Sequence, residues 1–146
     1  MSPTAVSAVF AHMLGLALLG LAALAQAAPQ VASVESPGKV LKVSLVLDGG
    51  TARYRVERLG EAVVEDSKLG FELRDGRLDR DFTLLGQQRR SVDDTWEQPW
   101  GERRVTRNHF NELVVQLAGT SGSKRRLDLV FRVYDDGLGF RYVFPE

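Results

Sequence analysis

The chain has 146 residues, nineteen basic and nineteen acidic side chains, a net charge of zero and no cysteine. The length sets an expectation of one domain. Balanced charge excludes the basic stripe that displaces counterions from nucleic acid, and the lack of cysteine excludes disulfides, thiolate metal sites and a lipid-attachment thiol.

The first charged side chain is Glu35. Residues 11–25 are an apolar run rich in Leu and Ala, and Ala25-Gln26-Ala27 forms an A-x-A cleavage pattern. This predicts a helical signal peptide over residues 1–27, cut before Ala28, and a domain over 28–146. The expected consequences are export and no stable membrane association after cleavage. The leading residues lack Lys and Arg, and the rival reading is an uncleaved anchor, because residues 5–28 are long enough to span ~30 Å of hydrocarbon.

Residues 28–38 form a polar lead with little pattern. In residues 40–47, Leu41, Val43, Leu45 and Leu47 share one face while Lys42 and Ser44 take the other, the period-2 signature of a half-buried strand. Asp48-Gly49-Gly50 is a turn, and Ala52, Tyr54 and Val56 alternate with Arg53, Arg55 and Glu57 to complete a hairpin. Shorter strands are expected at 62–65, 69–74 and 82–90, with Asp75-Gly76 as punctuation. After a tryptophan-rich segment, a strand is expected over 111–117, followed by the flexible loop 119–123. Residues 127–134 and 138–144 flank the turn Asp135-Asp136-Gly137 and form the most secure hairpin. No amphipathic helix follows residue 28. The fold class is all-β: an antiparallel β-sandwich of about eight or nine strands.

The segment from Asp93 to Glu112 holds both tryptophans, His109, Asn108, Asn111 and five carboxylates. Flat aromatic faces beside hydrogen-bonding groups suit a polyhydroxylated ligand, and they also suit a domain interface. Candidate residues for carbohydrate binding or for such an interface are Trp96, Trp100, Glu102, Asn108, His109, Asn111 and Glu112. Pro99 argues against regular strand pairing between the two indoles. His109 near a carboxylate such as Glu112 has the means to orient a ligand. Asp93, Asp94, Glu97, Glu102 and Glu112 supply carboxylates for glycoside hydrolysis, but surface acids explain them equally, and no catalytic residue is assigned. Too few histidines are present for a zinc site, and no EF-hand spacing occurs. Nucleophile-elbow, P-loop and dinucleotide fingerprints are missing.

Thr95-Trp96-Glu97, Trp100-Gly101-Glu102, residues 107–113 (RNHFNEL) and residues 131–142 (FRVYDDGLGFRY) resemble the N-terminal domain of glycoside hydrolase family 97. Ser36-Pro37 and Leu69-Gly70-Phe71-Glu72-Leu73 resemble it too. The likeness covers residues 36–146. It implies an exported bacterial enzyme acting on α-glucosides or α-galactosides, periplasmic or secreted. Its N-terminal part is a large super-sandwich, followed by a catalytic (β/α)8 barrel and a small β-domain. The resemblance further implies calcium in the active site of the full-length enzyme, with none expected for this chain alone. It also implies two glutamates in the inverting members and an aspartate nucleophile in the retaining ones. Those acids have no counterpart here. Phe110 stands where tyrosine is usual, and Asp94 and Gln98-Pro99 also depart from the pattern. The expectation is an incomplete sandwich that leans on a missing barrel and walls one side of the sugar pocket. The alternative is a stand-alone carbohydrate-binding or interaction domain.

Overall fold

The computed structural model describes residues 30–74, 76–120 and 125–145. The expected signal peptide, and most of the expected loop at 119–123, lie outside the described residues. Among the described residues ten strands form, all paired antiparallel, and no segment is helical. The first sheet has the order β1 (Gln30–Glu35), β2 (Leu41–Asp48), β3 (Thr51–Arg58), β4 (Glu61–Lys68). A small hairpin, β5 (Phe71–Leu73) and β6 (Gly76–Leu78), follows. The second sheet contains β7 (Phe82–Glu97), β8 (Val105–Gly119), β9 (Arg126–Val133) and β10 (Leu138–Val143), in the order β10-β9-β8-β7.

The two sheets face each other as a sandwich because each carries one apolar face. Val43 and Leu45 from β2 meet Leu113, Val115 and Leu117 from β8 and Leu127, Leu129, Phe131 and Val133 from β9 in one fully buried cluster. Each such side chain contributes on the order of 1.5–3 kcal/mol by leaving water. Tyr54 of β3 reaches across, its ring 6.2 Å from that of Phe131 and 5.6 Å from that of Phe140. The turn between β2 and β3 uses Gly49 (φ 51°) and Gly50 (φ 77°), the consecutive positive φ values that a tight two-residue hairpin needs.

The expected hairpins at 40–56 and 127–144 form. Four segments differ. Residues 30–35, read as patternless, pair with β2, since Ala32 and Val34 are both buried there. Two inward apolar residues are too few to show as a period. β4 extends to Lys68 and is held by backbone pairing at an edge, because most of its side chains are exposed. The strand expected over 69–74 is instead the start of the small β5–β6 hairpin, with Leu69 and Gly70 outside it. The largest difference concerns β7 and β8, whose ladder runs unbroken from Gly86↔Gln116 to Glu97↔Val105. It therefore carries the tryptophan-rich segment out as a paired ribbon. Pro99 lies beyond the last pair, so its missing N–H removes no ladder bond.

Candidate functional site

Directly paired residues in an antiparallel ladder share a face, and successive residues alternate. Along β8, Arg107, His109 and Asn111 therefore follow the core-facing row, and Thr106, Asn108, Phe110 and Glu112 follow the outward row.

The outward row is a chain of satisfied polar groups around one aromatic ring. Glu112 is buried between two guanidiniums. Arg90 of β7 donates through Nε to Oε1 at 2.6 Å and through Nη2 to Oε2 at 3.1 Å. Arg132 of β9 donates through Nε to Oε2 at 2.7 Å. The Arg90 hydrogen bond, reinforced by Arg132, holds the Glu112 carboxyl below the usual carboxylate range against the opposing effect of burial. The Arg132 guanidinium also lies 4.8 Å from the centroid of Phe110, and Tyr134 packs its ring 5.2 Å from the same side chain. These contacts bury Phe110 on the outward face. Further along, the Tyr134 hydroxyl donates to Asn108 Oδ1 at 3.3 Å. Trp96 stands opposite Thr106 in the same row.

The core-facing row leaves the core at its distal end and becomes polar. Asn111 Nδ2 donates to the Glu35 carbonyl at 2.8 Å, and Arg89 donates to the Ser33 carbonyl, so both tie the second sheet to β1. Arg107 grips Asp93 with two bonds of 2.7 Å and lowers its carboxyl pKa. His109 Nε2 is 4.0 Å from the same carboxylate. Asp135, in the β9–β10 turn, accepts the Gly38 N–H at 2.7 Å and the Ser36 hydroxyl, which also holds its pKa down. The buried Ser36 in turn accepts from the amides of Val40 and Leu41, so one hydroxyl fixes the β1–β2 turn against the β9–β10 turn.

The candidates fall in three places. Trp96, Asn108 and His109 line a cavity of about 520 Å³ together with Tyr134 and Asp136. Asn111 and Glu112 line a hollow of about 640 Å³ against Ser36 and Pro37, where their polar atoms are already engaged with Glu35, Arg90 and Arg132. Trp100 and Glu102 occupy the exposed ribbon tip, which closes through Gln98 Nε2 donating to the Arg103 carbonyl at 2.8 Å. His109 and Glu112 are not neighbours: they project from opposite faces of β8, and the carboxylate beside His109 is Asp93. Tyr134 and Asp136 looked like plain hairpin residues in sequence, and nothing local marks them as neighbours of Trp96.

Both indoles are exposed, Trp96 at 51% and Trp100 at 78%, so neither fills this core. Glu112 and Asp93 are both held ionised by arginines, which leaves neither poised to donate a proton near neutral pH. Among the described residues no three His, Cys, Asp or Glu side chains converge.

Residues 34–146 match the family model described as Glycosyl-hydrolase 97 N-terminal. The chain is 33% identical over 109 residues to a probable retaining alpha-galactosidase of Streptomyces bingchenggensis, covering 75% of this chain and 17% of that protein. It is 27% identical over 129 residues to the retaining alpha-galactosidase of Bacteroides thetaiotaomicron, covering 88% of this chain and 18% of the relative. Among solved structures, a glycoside hydrolase family 97 enzyme from a Pseudoalteromonas species, in complex with panose, superposes with a TM-score of 0.75 and 30% identity. That match covers 79% of this chain and 18% of the other.

Proposed function

The chain belongs to the Glycosyl-hydrolase 97 N-terminal family, and from that premise we propose that it is the non-catalytic sandwich of an exported α-glycosidase. In this reading the full-length protein hydrolyses α-galactosidic or α-glucosidic bonds of oligosaccharides. The reacting acids and the calcium ion belong to a barrel outside the residues of this chain. The sandwich packs on that barrel, and its β7–β8 ribbon walls the sugar site.

The observation that carries this reading is the pairing of a stiff stalk with an exposed aromatic tip. Buried Glu112, clamped by Arg90 and Arg132, holds the ribbon's base, while Trp96 and Trp100 stand in solvent at its far end. Large exposed aromatics on a rigid support mark surfaces that meet a partner or ligand. Export is supported by the apolar, charge-free leader and its A-x-A site.

The test is an assay of the full-length protein on p-nitrophenyl α-galactoside and α-glucoside, with and without a calcium chelator. Turnover of either substrate that falls on chelation, with none from the 146-residue chain alone, is the expected result. Equal turnover by the isolated chain, or none by the full-length protein on either glycoside, would overturn it.

A further inference from the structure

We propose that the hollow beside Trp96 is a carbohydrate-binding site complete within this chain. It would take a neutral α-linked di- or trisaccharide. The proposal rests on the reading of the full-length protein as acting on such sugars, which selects the ligand class.

The hollow combines the two things a sugar needs. Trp96 offers a half-exposed indole at one wall, the surface on which a pyranose ring stacks its C–H face. Asn108, on the same face as Trp96, and Asp136 of the β9–β10 turn bring hydrogen-bonding groups to its lining. One of them is oriented in advance: the Tyr134 hydroxyl occupies Asn108 Oδ1, so the amide Nδ2 is the end left to donate to a ligand oxygen. Its volume of about 520 Å³ falls within the roughly 300–1,000 Å³ of small-molecule sites.

Electrostatics narrows the ligand. Arg107 is committed to Asp93 by two short bonds, and Asp135 and Asp136 add negative charge at the rim. Among the described residues of the lining, Arg107 is the one Arg or Lys side chain, and its engagement with Asp93 disfavours phosphates and other anions. Carboxylates next to an indole suit either vicinal hydroxyls or an organic cation, and the sugar-acting reading favours the hydroxyls. The larger hollow near Glu112 lacks these features, because Glu112 is engaged by Arg90 and Arg132 and no aromatic ring lines it. The ribbon-tip hollow has neither indole in its lining.

Two tryptophans in the whole chain give a direct test. In a Trp100→Phe chain, the indole fluorescence reports Trp96 alone. Panose at millimolar concentration should change that emission saturably. A Trp96→Phe chain, reporting Trp100, should stay unchanged. Calorimetric titration of the otherwise unaltered chain should show binding weakened about tenfold or more by Asn108→Ala, with a thermal melt like that of the parent. Three results would overturn the proposal: silence of Trp96 with panose, a response confined to Trp100, or a Trp96 response to tetramethylammonium at lower concentration than to panose. Hydrolysis by the full-length protein is a separate reading. Turnover that persists with no panose response at Trp96 removes this site and leaves the α-glycosidase assignment standing.

Discussion

His109 and Glu112, three residues apart on β8, project from opposite faces of the sheet. The first looks along the distal end of the sandwich toward Asp93. The second is locked under Arg90 and Arg132 on the outward face. An odd spacing in a strand separates residues that a sequence places side by side.

The Glu112 clamp should respond to loss of charge. Glu112→Gln keeps the shape but weakens two charge-assisted contacts, and hydrogen bonds to charged groups contribute about 1.5–3 kcal/mol. Arg90 and Arg132 regain water when released, so the expected loss is near the bottom of that range. Urea unfolding followed by far-ultraviolet circular dichroism would measure it. Asp93→Asn, in an exposed pair with Arg107, should shift the midpoint far less.

Acid should destabilise the fold in a defined window. Arginine contacts depress the folded pKa of Glu112 below its ordinary 4.5, and Asp79 and Asp93 lie below 3.8 for the same reason. Hydrogen bonds from Ser36 and Gly38 lower Asp135 likewise. Depressed carboxylates bind fewer protons folded than unfolded. Their stabilisation is therefore present above the unfolded values and is lost as pH falls through the folded ones. Thermal midpoints should hold steady from about pH 7 to 5 and fall below about pH 4.5. In Glu112→Gln the fall should be shallower, and an equal slope would remove Glu112 from the account.

Gly70 should be the least replaceable glycine in the hinge before β5. Its φ is 129°, and a Cβ there would collide with the Leu78 carbonyl and the Asp79 backbone. Gly70→Ala should cost several kcal/mol, on the order of 3. A Cβ at Gly137 meets nothing within 4 Å, so Gly137→Ala should stay within about 0.5 kcal/mol. Chemical denaturation of the two variants side by side makes the comparison.

Core and tip should also separate cleanly. Leu113→Ala removes a fully buried side chain from the shared cluster and should cost about 2–5 kcal/mol. Trp100, the most exposed large apolar residue of the ribbon tip at 78%, should tolerate Ala within about 0.5 kcal/mol. A large loss at Trp100 would mean that the indole supports the fold.

Alternation along residues 40–56 and 127–144, with glycine-bearing turns between the runs, was enough to read both hairpins, because each inward face is densely apolar. The strand over 30–35 was illegible, since two small buried residues make no period and the pairing comes from β2. The length of β7 and β8 was also hidden. Their distal halves mix polar residues with a few apolar ones in no clear period and owe their extension to the continuous ladder and to cross-strand pairs such as Asp93 with Arg107.

From sequence alone came the all-β class, the family likeness and the residues worth watching. These are properties of local pattern, where period, composition and short motifs act on neighbours along the chain. Only the tertiary structure decided which of those residues share a space. It set Trp96, Asn108 and His109 against the β9–β10 turn and withdrew Glu112 into a pair of arginines. Strand register governs such meetings, and register is fixed by how two apolar faces close on each other across the whole sandwich.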